Sequence, residues 1–501
     1  MTRTLTALAL ALAVSLPAAA QEVPCLALPD GGVGCERWVA VYDHAGGHAD
    51  WGVDQAVDVA ASPAGDRVFV AGHSNDGTGV RDIVTVAVSA QTGEVLWTAR
   101  FAGPAGDHDF GSAVAVAPDG GTVFVGGTVD ADNGRNQGRG VAIAYDAETG
   151  ALRWTALSAR GGPGGLDHIA ALAPAPEGGA VYAVGHTGPP GEHGLGFSNY
   201  LVLALDAGSG EERWSYTYDG AGGRFDRATG IAVGTRGDTL FVTGTSDGIG
   251  DPRDYDSDLA TVALDARTGD RRWVHRHDGG LLGNDGATAI DVGPGGGVFV
   301  AGFVRVAGFS AGGYSNYEAI VLRIDGDTGT TDWSDTYAGP SRGIGSATSV
   351  AVAGSHVVVG GHVTGDLSDL DWDPFALGLD AATGQRRWTD RRGAPGSTFE
   401  AAEDVAASPD GSHAYVTSFS RIGGRQEVVT AAYAPATGDR AWTARWNSSP
   451  ARINYDLAAA VTATADGIFV AGSTGDEMAA QANRGRSDFN YRDIAVLAYD
   501  P

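Results

Sequence analysis

Leu264-Asp265-Ala266-Arg267-Thr268-Gly269-Asp270-Arg271-Arg272-Trp273 decides how the rest of the chain is read. An Asp opens a turn because its carboxylate accepts backbone N–H groups ahead of it, and Gly supplies positive φ without steric cost. Apolar alternation on both sides makes this a hairpin turn between two strands. The Trp then falls on the second strand at a fixed distance from the turn. The stretch recurs as Tyr145 to Trp154 and as Leu379 to Trp388, and looser copies end at Trp97, Trp214, Trp333 and Trp442. One ring repeated once per unit at one register predicts that each unit buries it against its neighbour.

Trp38, Trp97, Trp154, Trp214, Trp273, Trp333, Trp388 and Trp442 are spaced by 59, 57, 60, 59, 60, 55 and 54 residues, and the chain ends 59 residues after the last. A period of that length over a whole chain predicts a repeat architecture. Each period holds four strand-like runs. In the unit ending at Trp273 these are Ala228 to Val233, Thr239 to Gly244, Leu259 to Asp265 and Arg271 to His275, and none has helical periodicity. Four antiparallel strands repeated around a ring make an all-β fold, the β-propeller. After Trp442 only three more runs follow, whereas Glu36 to Tyr42 resembles Glu212 to Tyr218. The N-terminal strand is therefore expected to complete the last blade. That gives eight blades over residues 37–501 and leaves no open edge in the ring.

The ends and the composition set further bounds. Arg3, the apolar Leu5 to Leu16 and Ala18-Ala19-Ala20 read as a secretory signal peptide over 1–20, cleaved before Gln21. That predicts a periplasmic or secreted protein with no membrane insertion, since the apolar run is too short to span a bilayer. Residues 21–36 form an arm holding the only two cysteines, Cys25 and Cys35, which export would favour as a disulfide. Formal net charge is −28 and every one of the 33 basic residues is Arg. Such a surface repels nucleic acid and anionic lipid. The partner class left open is a protein or a glycan, met by a monomer.

The Asp-Ala-x-Thr-Gly-x-x-x-Trp repeat resembles the tryptophan-docking motif of eight-bladed quinoprotein propellers. Ala113 to Gly127 and Asp258 to Ala266 look like the PQQ-binding-like (pyrroloquinoline quinone) propeller repeat, which also builds the assembly scaffold BamB. The resemblance covers residues 38–501 and implies the fold and the packing of Trp between blades. It implies chemistry only where functional residues match. Quinoprotein alcohol dehydrogenases carry adjacent cysteines against the cofactor, and Cys25 and Cys35 are ten apart and outside the ring. A Glu, Asn and Asp calcium set does not match here, and a haem-attachment Cys-x-x-Cys-His is absent from the sequence. The resemblance therefore argues against bound quinone, and no catalytic or cofactor-binding residue carries over.

Strand direction alternates within a blade, so the loops after strands two and four share one face. The tight turns occupy the other. The variable loops, such as 75–81, 130–139, 188–199, 247–258, 366–373 and 475–492, all fall on the first face, the expected binding face. An acid recurs at the start of the innermost strands: Asp54, Asp109, Asp167, Asp226, Asp285, Glu400 and Asp456, with Gly345 breaking the pattern. These carboxylates either ring the channel mouth or accept N–H groups of their preceding loops. Asp254, Asp256 and Asp258 alternate as calcium-loop ligands do, and Asp366, Asp369, Asp371 and Asp373 form a similar group. Calcium is the metal such oxygens would take. His73, His186 and His362 follow the Gly of strand two in non-adjacent blades and are expected to be ordinary hydrogen-bonded histidines. The sequence predicts a binding or scaffold module without a catalytic signature. The alternatives are a quinone-dependent oxidoreductase and a carbohydrate-binding or carbohydrate-active propeller, the latter on Tyr255, Tyr314, Tyr317 and Trp372 beside acids.

Overall fold

The computed structural model describes residues 26–27, 33–34, 36–43, 54–75, 79–131, 138–158, 160–162, 165–189, 197–248, 256–280, 283–309, 315–340, 343–366, 371–393, 399–422, 425–448, 455–475 and 492–501. The signal-peptide stretch, Cys25, Cys35, Asp254, Tyr255, Tyr314 and Asp369 lie outside the described residues. Among those described, every regular element is a strand.

Eight four-stranded antiparallel sheets form the blades. The first pairs Gln55–Ala61, Arg67–Asn75, Arg81–Ser89 and Val95–Phe101 in chain order. The next six occupy 108–158, 166–218, 227–277, 286–337, 345–391 and 401–446. The eighth holds Leu457–Ala463, Ile468–Thr474 and Asp493–Tyr499, and Glu36–Tyr42 adds on its outer side with Trp38 opposite Ala498. The innermost strands touch in sequence, and the last touches the first. The ring is thus a closed eight-bladed propeller whose seam is a blade built from both ends of the chain.

The repeated motif is what holds one blade to the next. Trp214 donates its indole N–H to the carbonyl of Ala266 at 3.2 Å, and Trp273 donates to Gly326 at 3.0 Å. Trp38, Trp97, Trp154, Trp333 and Trp388 make the same bond to the following turn, at 2.8–3.2 Å. The Gly of that turn lies under the ring. At Gly269 φ is +75°, and a Cβ there would come within 2.6 Å of the Trp214 ring. Glycine is therefore required twice, for its backbone conformation and for the close approach of the indole. The opening Asp closes the turn as expected: Asp265 accepts the N–H groups of Arg267 and Thr268, both at 3.0 Å. Apolar clusters fill the space between successive blades, such as the one joining Phe241, Leu259 and Ala263 to Val298, Val300 and Leu322.

All eight innermost strands carry a β-bulge at one register, between Ala228 and Gly230 in the fourth blade and at matching places in the others. The bulge turns polar groups across the blade gap, as bulges redirect side chains. Thr229, Thr288 and Thr348 sit at the bulge and donate to Ala287, Ala347 and Ala402 of the next blade at 2.8–2.9 Å. Asp58, Asp291 and Asp404, on the same strands, accept the N–H groups of Val114, Val352 and Val461 in the same sense, at 2.8–2.9 Å. The channel wall is stitched by side chain to backbone bonds.

Candidate functional site

The loop-bearing end of the channel is where the sequence places its repeated acids, and all seven are buried, at 0–3 % exposure. Five of them show the same use. Asp285 accepts the N–H of Gly279 and of Arg305, both at 2.6 Å. Asp109 accepts those of Gly103 at 2.5 Å and Asp130 at 2.7 Å. Asp226 binds Gly220 N–H and the Ser246 hydroxyl, Asp167 binds Ser158, Arg160 and Gly161, and Asp456 binds Ser448 and Thr474. Each carboxylate ties the incoming loop to strand four or strand two. Glu400 accepts the Ser420 hydroxyl, and Asp54 closes the seam, its backbone N–H bonded to Arg492 at 2.7 Å. In the sixth blade, where Gly345 replaces the acid, the Thr364 hydroxyl accepts Ile344 N–H at 3.1 Å instead. The acids frame the loop face from inside the wall.

Asp256 and Asp258 part company. Asp256 accepts Gly283 N–H at 3.1 Å, whereas Asp258 gathers with Asp278 and Asp285, one oxygen of each lying within 4.8 Å of the others. A second trio, Asp43, Asp54 and Asp493, has the same spacing. The two are the same place in the fold. Asp258 and Asp493 each stand five residues before the partner of the docking Trp, and Asp278 and Asp43 five residues after that Trp. At the six other junctions at least one of the three positions is not acidic, for example Ala102 between Asp82 and Asp109. The two trios lie four blades apart, across the ring. Either could hold a divalent cation through carboxylate oxygens. Burial raises the Asp285 carboxyl to about 6, with Asp278 and Asp258 adding to the rise. It raises Asp493 to about 7, helped by Asp43 and Asp54. Arg276 offsets the first trio, 2.6 Å from Asp258, but Val41 takes its place at the second.

The remaining sequence candidates spread around the face. Trp372 stacks on His362 at 4.3 Å and 7°, and meets Phe399, which meets Phe419. Phe399 is 39 % exposed and Phe197, three blade junctions away, 62 %. Tyr317 packs edge-on against Phe303 in the fifth blade, apart from Trp372. Asp373 is buried and paired with Arg391, while Asp366 and Asp371 are register partners on neighbouring strands. The histidines depart from expectation. His73, His186 and His362 each keep one buried ring nitrogen without a hydrogen-bond partner. Burial lowers all three, His186 to about 3. Their blades are non-adjacent, and the three do not form one site.

A PQQ-repeat family model, described as outer membrane protein assembly factor BamB, matches residues 35–184, 80–289 and 198–423. Curated proteins show no match to the chain. Among solved structures, the quinohemoprotein alcohol dehydrogenase ADHIIG of Pseudomonas putida HK5 aligns with a TM-score of 0.53 at 14% identity, over 93% of this chain and 76% of that one. The quinohemoprotein alcohol dehydrogenase of Comamonas testosteroni aligns at 0.51 and 15%, with the same coverage. Chaetomium thermophilum Sqt1, bound to the N-terminus of the ribosomal protein L10, aligns at 0.55 and 14%, over 93% of this chain and 100% of that one. At such identity the likeness is one of fold.

Proposed function

The chain belongs to the PQQ-repeat propeller family, and we propose that this member is an exported binding or scaffold module that works through its loop-bearing face. One observation carries the reading. The tight turns repeat one Trp and Gly docking from blade to blade, with Val95, Leu96 and Leu152 exposed on the outer strands beside them, while the loops at the other end differ from blade to blade and expose Phe197 and Phe399. A protein partner is the favoured class, in keeping with Sqt1, a propeller bound to the N-terminus of a ribosomal protein. The expected outcome is that affinity capture retains a partner, that Phe197→Ser with Phe399→Ser loses it, and that Arg236→Ser on the tight-turn face keeps it. Loss with Arg236→Ser alone would place binding on the wrong face. Export predicts a mature N-terminus at Gln21, read by N-terminal sequencing. Quinone-dependent oxidation is the second reading, supported by the quinohemoprotein neighbours. It lacks an adjacent cysteine pair in the sequence, and cofactor uptake with a visible absorbance change would promote it.

A further inference from the structure

The pair of positions at the channel mouth that follows each buried acid changes character around the ring. The residue after the acid faces the end of strand two in the preceding blade. Phe110 meets His73 there, at 5.2 Å between rings, and a Cβ on Gly286 would meet Thr245. At the junction of the third and fourth blades the two positions are His186 and Arg227. His168 is the cross-strand partner of His186, with ring centroids 5.3 Å apart, and its Nδ1 lies 2.7 Å from the Thr128 hydroxyl.

Three basic side chains thus crowd one place in a chain of net charge −28, and two of them, His186 and Arg227, are poorly satisfied. His186 is 8 % exposed, and its Nε2 has no hydrogen-bond partner. The Nε of Arg227 is likewise buried and unbonded. Among the described residues Arg227 makes no ion pair; its guanidinium lies over the Phe225 ring, 4.3 Å from the centroid. The acids next to these residues in sequence do not help, because Asp167 and Asp226 spend their oxygens on Ser158, Arg160, Gly161, Gly220 and Ser246. A buried guanidinium nitrogen without an acceptor is costly, and a planar carboxylate is its natural complement.

We propose that Arg227, His186 and His168 form a carboxylate-binding site at the channel mouth between the third and fourth blades. The class follows from charge. Burial, reinforced by Arg227, holds His168 at about 4, and burial with His168 and then Arg227 holds His186 at about 3. At neutral pH both imidazoles are uncharged, and the site offers one positive charge and neutral hydrogen-bonding nitrogens. That suits a monoanion better than a phosphate dianion. The site rests on its own observations and holds whether or not the loop face binds a protein.

The test uses the full-length protein labelled with ¹⁵N at histidine, titrated at neutral pH with benzoate, inorganic phosphate and a capped Gly-Gly-Glu-Gly-Gly peptide. Benzoate or the peptide is expected to move the His168 and His186 ring signals saturably, and phosphate to act more weakly. Arg227→Gln should weaken binding by about tenfold or more, as for loss of a charged hydrogen bond, with Arg227→Lys in between. A response to the peptide alone would point to a partner's acidic side chain, and to benzoate alone, to a free small acid. The proposal is overturned if no probe moves either ring in the wild type, if phosphate binds more tightly than both carboxylates, or if Arg227→Gln and His186→Gln bind benzoate as the wild type does. The wild-type titration decides the matter even if a variant does not fold.

Discussion

At the scale of single residues, the contact between an indole and a glycine bears most weight. Trp273 sends its N–H to Gly326 and lays its ring on Gly329, whose φ is +74° and whose Cβ would fall 2.6 Å from that ring. Truncating Trp273 to Ala removes the ring and leaves a gap between blades, so the expected loss is about 3–5 kcal/mol in denaturant melts. Gly329→Ala should itself destabilise, through a strained backbone and a displaced ring. In a double-mutant cycle the two losses should not add, because the added methyl has nothing to strike once the indole is gone. Additive losses would mean that ring and glycine act separately. This part of the structure was legible in the sequence, because Asp, Thr, Gly and Trp lie within ten residues and repeat. The unpartnered nitrogens of His73, His186 and His362 were not legible. They depend on which side chain the next blade presents, and the sequence shows only that a His follows a Gly.

At the scale of the strand, a buried Asp on the bulged innermost strands of the first, fifth and seventh blades clasps each to its neighbour. Asp58 accepts Val59 N–H within its own strand and Val114 N–H across the gap, both at 2.8 Å. Asp58→Ala leaves two inward N–H groups without acceptors, at an expected cost of about 1–3 kcal/mol. The same residue sets a pH dependence. Burial raises its carboxyl to about 7, against lowering by the two N–H groups, and the nearby Asp404 raises it further. The folded state therefore holds the Asp58 proton more tightly than the unfolded chain does. The stability this contributes is fully present below the ordinary aspartate value of 3.8 and is lost as pH rises through about 7. Urea midpoints are expected to fall from mildly acidic to mildly alkaline pH, and Asp58→Asn should flatten that slope. An unchanged slope in Asp58→Asn would put the dependence on the other carboxyls that burial raises, such as Glu403, Asp493, Asp109 and Asp285. Strand number and order could be read from the alternation of apolar residues, but the bulge could not. It adds one residue within a run of small side chains, Ala228-Thr229-Gly230, that reads equally well as regular strand. The Asp258, Asp278 and Asp285 trio was missed for the same kind of reason, since it is assembled by register across two blades and not by spacing along the chain.

At the scale of the whole molecule, the ring is closed by noncovalent pairing of its two ends. Glu36–Tyr42 contributes more than a ladder of hydrogen bonds. It carries Trp38, 3 % exposed, whose indole N–H reaches Ala90 in the first blade at 3.1 Å and whose ring covers Gly93. Removing that strand would therefore break two contacts together, the outer pairing of Asp493–Tyr499 and the docking of the eighth blade on the first. Other blades could not compensate, because the exposed edge would run through buried Ile494, Val496 and Ala498, and an apolar open edge is a template for self-association. A chain beginning after Tyr42 is expected to elute as oligomers or aggregate in size-exclusion chromatography, while one beginning at Gln21 stays monomeric. Adding the peptide of residues 36–42 in excess should restore part of the monomer, and the same peptide with Trp38 replaced by Ala should do so poorly. If the truncated chain stays monomeric and melts as the intact one does, closure is not what stabilises the ring, and the stitching of innermost strands by Thr229, Thr288, Thr348 and the channel aspartates must be sufficient alone.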